Sequence, residues 1–85
     1  MTYTRWPDDG LSLLERRSRL LCKAASMQFG VRVDQIRGRR RFIRHVKARH
    51  WVWRQLRREG FSFPAIGEEF EVDHSSVQYA CKRQR

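Results

Sequence analysis

Residues 62–80, SFPAIGEEFEVDHSSVQYA, decide the fold, because this stretch begins with the pattern of a short amphipathic helix. Ser62 is a natural N-cap, and Pro64 falls in the first helical turn, where its missing N–H costs nothing. Ile66 and Phe70 are four residues apart and therefore share one face of the helix. The pattern predicts a short helix that buries this face.

A second helix is predicted after a tight turn at residues 71–72. Asp73 can cap it, either as a cap alone or while also accepting a hydrogen bond from a cytosine amino group. Short polar side chains at a helix start are what a recognition helix presents to the major groove of DNA. This helix carries His74, Ser75, Ser76 and Gln78 near its start. The stretch therefore predicts a helix-turn-helix. Two interpretations are open for His74: it contacts a base, or it is a surface histidine without a role.

The charge of the chain agrees with such a role. The formal net charge is +10 over 85 residues. Most of the basic side chains are arginine, whose guanidinium forks fit phosphates and base edges bidentately. We therefore expect double-stranded DNA as the partner, and the alternative is a solvated basic surface with no fixed partner.

Length and composition exclude several classes of protein. The chain has room for one small domain and none for an additional nucleotide-binding ATPase domain. Cys22 and Cys81 are far apart and are predicted to be free thiols of a reducing compartment. The three histidines form no zinc pattern with them, no apolar run approaches a membrane span, and no phosphate loop or nucleophile–base pair is present. We expect no cofactor, no membrane association, no small-molecule substrate and no enzymatic activity, and a cytoplasmic, nucleoid-associated location.

The chain divides into a loosely ordered tail at residues 1–11 and one domain at residues 12–85. Residues 12–15 have capping-box form and should start a helix at about Leu13 that runs to Phe29, with Gly30 in a left-handed conformation at its end. Apolar residues keep helical spacing on one predicted face: Leu13, Leu14, Leu20, Leu21, Ala24, Ala25 and Phe29.

The middle of the chain predicts a short helical turn, a basic loop and a long helix. Asp34 is the predicted cap of the short turn, and Gly38 breaks it before Arg39, Arg40 and Arg41. A helix should resume near residue 42 and end near residue 58, with Gly60 after it. Its predicted buried stripe consists of Ile43, Val46, His50, Trp53 and Leu56, and its arginines, Arg49 among them, should decorate the remaining surface. Trp51 and Trp53 are interpreted as core residues, the alternative being a stacking platform for single strands.

The expected fold is all-α, a compact domain of four to five helices with a C-terminal helix-turn-helix. At this point the chain resembles the DNA-binding C-terminal domain of the bacterial replication initiator DnaA. The resemblance rests on Ile66, Gly67, Phe70 and residues 73–80 (DHSSVQYA), and extends upstream in the same order through residues 29–31, Ile36, residues 39–41 and residues 48–50. It implies a DnaA C-terminal, Trp-repressor-like fold in a bacterial or phage chain.

The resemblance also implies roles for individual residues. Arg41 would enter the minor groove with Arg39 and Arg40 beside it, although such a charge run can also be merely solvated. Arg49 and His50 would touch the backbone and nearby bases. Asp73, His74 and Ser75 would read the major groove, and Ser76 would contact a base or phosphate. Pro64 and Ala65 open a helix whose N–H groups would hold a phosphate. Gln78 and Lys82 complete the candidate DNA-binding set.

Departures from the family pattern bear on the target. The turn at residues 71–72 lacks the glycine and the basic residue usual there, and Ser75 and Ser76 replace a threonine pair whose methyl groups could contact thymine. His50 replaces a glutamine. The docking geometry is expected to be retained, while the initiator's own nine-base target is not carried over.

Three functions follow as alternatives. The first is a sequence-specific transcription regulator, acting alone or with a protein partner such as RNA polymerase or a co-regulator. The second is a replication regulator that competes or assists at initiator sites. The third is a protein-interaction adaptor for which the charge is incidental.

Overall fold

Five helices follow one another in the computed structural model, which describes residues 12–38 and 42–82. They are α1 Leu13–Phe29, α2 Val33–Arg37, α3 Ile43–Arg58, α4 Phe63–Phe70 and α5 His74–Lys82. No strand occurs within the described ranges, and the all-α prediction is confirmed. The predictions for the tail at residues 1–11 and for the arginines at 39–41 lie outside the described residues.

Both ends of α1 form as the sequence predicts. The Ser12 N–H donates to Glu15 Oε1 at 2.6 Å, and the Glu15 N–H donates to Ser12 Oγ at 3.1 Å, which completes the capping box. Gly30 has a φ of 68° and donates its N–H to the Ser26 carbonyl, which ends the helix in the left-handed conformation. Local chemistry therefore determines where this helix starts and stops.

The buried face of α1 agrees with the predicted one only in part, because Ala25 is buried as predicted whereas several of the predicted apolar residues are exposed. Leu13 is 61% exposed and Leu20 is 57% exposed, and Ala24 is exposed as well. The fully buried positions carry small side chains instead: Ser18, Cys22 and Ala25. Because α1 packs chiefly against α3, small residues at the contact bring the two helices close together. Leu14, Leu21 and Phe29 pack at the edge of the core.

The N-cap of the short helix α2 lies two residues before the predicted one. Arg32 is its N-cap, and its N–H donates to Gln35 Oε1 at 2.9 Å. Asp34 therefore lies inside the first turn, where the Arg32 Nε donates to its carboxylate at 3.1 Å and lowers its pKa. The prediction that Asp34 caps the helix is wrong, because the Gln35 side chain satisfies the N-cap amide.

In α3, the buried stripe agrees with the predicted one at Trp53 and Leu56 but differs from it in the first half of the helix. Ile43 is 73% exposed, and Val46 and His50 are only partly buried. The buried positions are His45, Ala48, Arg49, Val52, Trp53 and Leu56. The helix contacts α1, α2, α4 and α5, so it is surrounded on several sides and its burial is decided by these neighbours. The prediction that Arg49 lies on the exposed surface is therefore wrong.

The two tryptophans of α3 belong to the core, as predicted. Trp53 is buried and meets the Phe70 ring edge-on, with ring centroids 5.9 Å apart. Trp51 is partly buried and meets Phe29 edge-on at 6.4 Å. Cys22 is buried, Cys81 is partly buried, and both are free thiols. These contacts join α1, α3 and α4, so the helix-turn-helix rests on a shared core.

Candidate nucleic-acid interface

The two helices of the helix-turn-helix approach each other at Gly67. A Cβ atom at this position would lie 2.8 Å from the Val72 carbonyl oxygen and 3.2 Å from the backbone of His74. No side chain fits at that distance, so the close approach of α5 to α4 depends on a glycine. On α5, Val77 and Ala80 are buried against the core and hold the helix in place.

The turn between α4 and α5 is made without the glycine usual in the resembled family. Glu71 adopts the left-handed conformation, with a φ of 58°, and donates its N–H to the Glu68 carbonyl at 3.2 Å. The Val72 N–H donates to the Gly67 carbonyl at 2.8 Å. Both turn residues, Glu71 and Val72, thus donate a backbone hydrogen bond to α4. Glu71 adopts the left-handed conformation although it carries a side chain, which costs some backbone strain.

The N-terminal tip of α5 presents polar side chains to the outside. Asp73 Oδ1 accepts the Ser75 N–H at 3.2 Å, so Asp73 caps the helix as predicted. The same oxygen lies 3.2 Å from His74 Nδ1, which orients the imidazole. His74 is 58% exposed in its side chain, and Ser75 and Ser76 are exposed. Asp73 therefore acts as a cap and as a partner of His74, and the His74 ring remains accessible.

Beside this tip, an open groove of about 660 Å³ separates α5 from α3. His50 lies on the α3 side, where its ring stacks on Trp53 with centroids 5.3 Å apart and an interplanar angle of 28°. The α5 side is formed by Ser75, Ser76 and Tyr79. The structure thus brings His50 and the α5 tip to one surface, as the site prediction requires.

Arg49 is placed differently from the other candidates. Its side chain points into the protein, where Nε donates to the Ile36 carbonyl at 2.7 Å and Nη2 donates to the Gln35 carbonyl at 3.3 Å. The residue is 8% exposed, and burial lowers the pKa of its guanidinium. Arg49 holds the end of α2 and also contacts the groove, and its role on DNA stays a prediction.

The start of α4 offers fewer free amides than its sequence indicates. Ser62 Oγ accepts the Ala65 N–H at 3.2 Å, and Pro64 has no N–H. Nearby, the Arg57 guanidinium lies 4.6 Å over the Phe63 ring and donates to the Phe61 carbonyl at 3.2 Å. A phosphate at this terminus would therefore meet the exposed Arg57 as well as the helix end, a contact that a sequence reading of Pro64 and Ala65 misses.

The remaining candidates lie along α5 and at the end of α2. Gln78 is partly buried, whereas Lys82 is exposed in the last turn of α5. Tyr79, which is not among the predicted site residues, is 57% exposed and lines the groove. Gly38, the last described residue before position 39, also borders the groove.

The assembled surface is that of a helix-turn-helix domain. A recognition-type helix projects a polar tip, a second helix supports it at a glycine contact, and both rest on the core through buried apolar residues. Within residues 12–38 and 42–82, no group of three or more His, Cys, Asp or Glu side chains could hold a metal ion. In the same part of the chain, no helix has the length and apolar character needed to cross a membrane.

Comparison with known proteins identifies the family. Residues 19–83 match the bacterial DnaA protein helix-turn-helix family, and the chain belongs to this family. Over 68 residues it is 35% identical to the chromosomal replication initiator protein DnaA of Pelobacter propionicus. That alignment covers 75% of this chain and 15% of the relative, so the chain spans a small part of the initiator's length. No solved structure matches.

Membership of this family supports DNA binding as the general function of the chain. The family is a DNA-binding helix-turn-helix domain and is not catalytic. The resemblance read from residues 66–80 is therefore confirmed at the level of the family and the fold.

Proposed function

We propose that this chain is a sequence-specific double-stranded DNA-binding protein. The tip of α5 enters the major groove, and the loop at residues 39–41 enters the adjacent minor groove. One observation carries the proposal: Asp73, His74, Ser75 and Ser76 are all exposed at the tip, while Val77 directly behind them is buried. The reading end therefore projects from the core on a rigid support, which direct readout of base edges needs.

The remaining candidates have supporting roles in this proposal. Arg39, Arg40 and Arg41 supply charge to the minor groove, where a narrow A·T-rich groove attracts guanidinium groups. Lys82 and Arg57 contact phosphates on either side of the motif, together with the helix end at Pro64 and Ala65. His50 and Gln78 approach the bases or backbone from the groove beside α5.

As the biological consequence, we propose transcription regulation through occupancy of promoter sites by a cytoplasmic, nucleoid-associated protein. A protein partner such as RNA polymerase or a co-regulator would convert occupancy into a change of transcription. The formal charge of +10 supports tight association with the chromosome.

Replication regulation at DnaA-box-like sites is a second candidate. The 35% identity to a chromosomal replication initiator favours it, because a related reader can compete for or assist at related sites. A third candidate, an interaction adaptor, is favoured by the exposed Leu13, Leu20 and Met27 on the outer face of α1.

Selection of preferred sites from randomised duplexes tests the DNA-binding proposal directly. Purified chain should enrich one short motif, with an A·T-rich flank where the loop lies. Recovery of no motif at modest ionic strength would reject it. Mapping of genomic occupancy then separates the first two candidates, because enrichment confined to the origin contradicts the promoter role.

A further inference from the structure

The junction between α2 and the basic loop is held by two guanidinium groups that reach it from different sides. Arg37 is the last residue of α2, and Arg49 reaches the same segment from α3. Gly38 follows immediately, and the basic residues 39–41 come next in the sequence. Contacts that fix residues 35–38 therefore fix the last described position before these basic residues.

Arg37 connects this junction to the first helix of the helix-turn-helix. Its Nη2 donates to Glu69 Oε2 at 2.7 Å and to the Glu69 carbonyl at 3.0 Å, while Nη1 donates to Ser18 Oγ at 2.9 Å. The guanidinium also lies 4.6 Å over the Phe70 ring. One side chain thus ties α2 to α1 and α4.

The Arg37–Glu69 pair is stronger than an ordinary surface ion pair. The Glu69 side chain is only 12% exposed, so solvent screens the pair weakly. Burial lowers the pKa of Arg37, but the hydrogen bond to Glu69, together with the charge of Glu69 and the nearby Cys22, raises that pKa above its ordinary value. The additional hydrogen bond from Arg37 to the Glu69 backbone carbonyl fixes the orientation of the guanidinium group as well as its distance from Glu69.

Arg49 completes the arrangement from the opposite side. It donates to the Ile36 and Gln35 carbonyls, at the C-terminal end of α2, where a cation also complements the helix dipole. Arg37 thus pulls the junction toward α4, while Arg49 holds it against α3. The end of α2 at Gly38 is therefore linked to α5 through Arg37, Glu69, α4 and the turn that follows α4.

We propose that Arg37 and Glu69 are positioning residues that set the separation between Gly38, after which the basic residues 39–41 follow in the sequence, and the major-groove helix α5, and thereby the sequence specificity of the domain. The proposal rests on the proposed function above. In this proposal the two residues do not contact DNA themselves. Weakening the Arg37–Glu69 pair should therefore change the preferred DNA sequence more than the overall affinity for DNA. Phosphate contacts, which supply most non-specific affinity, remain in place.

The test compares Glu69→Gln with the intact chain in two assays at equal ionic strength. The first measures Kd for the selected site and for a random duplex. The second repeats selection from randomised duplexes. Glu69→Gln keeps size and shape but weakens the charge-assisted bond, and Glu59→Gln is the matched control, because Glu59 makes an equivalent pair with Arg17 at 2.8 Å away from the groove.

In Glu69→Gln, the ratio of random-duplex Kd to selected-site Kd should fall about tenfold, which corresponds to about 1.4 kcal/mol. The random-duplex Kd should stay within about twofold of that of Glu59→Gln. The selected motif should lose its A·T-rich flank, or show it at variable distance, while the positions read by α5 are retained. A purely stabilising role of the pair would not move the flank relative to the rest of the motif.

Thermal melting keeps the test decisive. If Glu69→Gln is not folded at the assay temperature, Arg37→Lys replaces it, because a lysine keeps the charge but cannot make both contacts to Glu69. A folded variant with intact discrimination and an unchanged motif overturns the inference alone. Failure of the unsubstituted chain to discriminate among duplexes overturns the proposed function itself, so the two failures are distinct.

Discussion

Gly67 and Val72 approach so closely that a Cβ atom on Gly67 would lie 2.8 Å from the Val72 carbonyl oxygen. This contact sets how near α5 lies to α4, and the tip at His74 is directly involved, because its backbone is 3.2 Å from the same Cβ position. The position of the candidate recognition helix α5 therefore depends on the absence of a side chain at Gly67 of α4.

Gly67→Ala should displace α5 and lower the free energy of unfolding by about 1–3 kcal/mol, because the added methyl group meets rigid backbone. Discrimination between a selected site and random DNA should fall in the same variant. Chemical denaturation and duplex titration measure the two effects. Gly30→Ala is the control: its left-handed φ of 68° makes it costly as well, but it lies at the end of α1 and should leave discrimination unchanged.

His74→Ala should weaken binding to the preferred site by roughly 1–3 kcal/mol and affect random duplexes little, because a base contact is lost and phosphate contacts are kept. The side chain is exposed and its packing contribution is small, so stability should change by less than about 0.5 kcal/mol. Titration of both duplexes by fluorescence anisotropy measures the ratio. An unchanged preference for the site would show that α5 does not read bases through His74.

Arg41→Ala should weaken binding to every sequence and reduce the slope of log K against log salt by about one unit for a lost phosphate contact. Arg19→Ala removes the same charge from the exposed surface of α1, away from the groove, and serves as the control. Equal slopes for the two variants would mean that the loop contributes only to the overall charge.

Arg49→Ala should act mainly on stability. The Ile36 and Gln35 carbonyls lose their donor, and the free energy of unfolding should fall by about 2–3 kcal/mol. Arg44→Ala, at an exposed position of the same helix, should change it by less than about 0.5 kcal/mol. Full stability of Arg49→Ala together with a reduced salt slope would instead assign Arg49 to direct phosphate contact.

Cys22 should resist thiol reagents while the domain is folded. Burial raises the pKa of its thiol, an effect only partly opposed by Arg37, so less thiolate is present near neutral pH than in an unfolded chain. In a Cys81→Ser variant, the single remaining thiol should react with Ellman's reagent only as denaturant unfolds the protein. Rapid reaction under native conditions would show that α1 opens readily from α3.

The ends of most helices and the identity of the motif were readable in the sequence. The capping pair of Ser12 and Glu15, the N-cap at Ser62 and the left-handed Gly30 act over three or four residues, so their consequences follow from local chemistry. The polar tip after Asp73 is also a local feature. These parts of the candidate site were predicted correctly as exposed, and their contacts to DNA stay predictions.

Other features of the fold and of the site could not be predicted from the sequence, because they depend on which helices pack against each other. Helix α1 has more apolar residues than one face can hold, and the packing against α3 selected Cys22 and Ala25 for burial and left Leu20 outside. The left-handed Glu71 carries no sequence signal, since the turn geometry is imposed by the approach of α5 to Gly67. The pairing of Arg37 with Glu69 joins residues that lie 32 positions apart.

The amino-acid sequence by itself determined the helical class, the helix-turn-helix and the polar character of the exposed tip, because capping, periodicity and charge act within a few residues of the chain. Only the tertiary structure decided which arginines are available at the surface. Arg49 and Arg37 look the same as their neighbours in the sequence, but backbone carbonyls and a largely buried carboxylate from other helices accept hydrogen bonds from their guanidinium groups. Those partners exist only once the helices have packed.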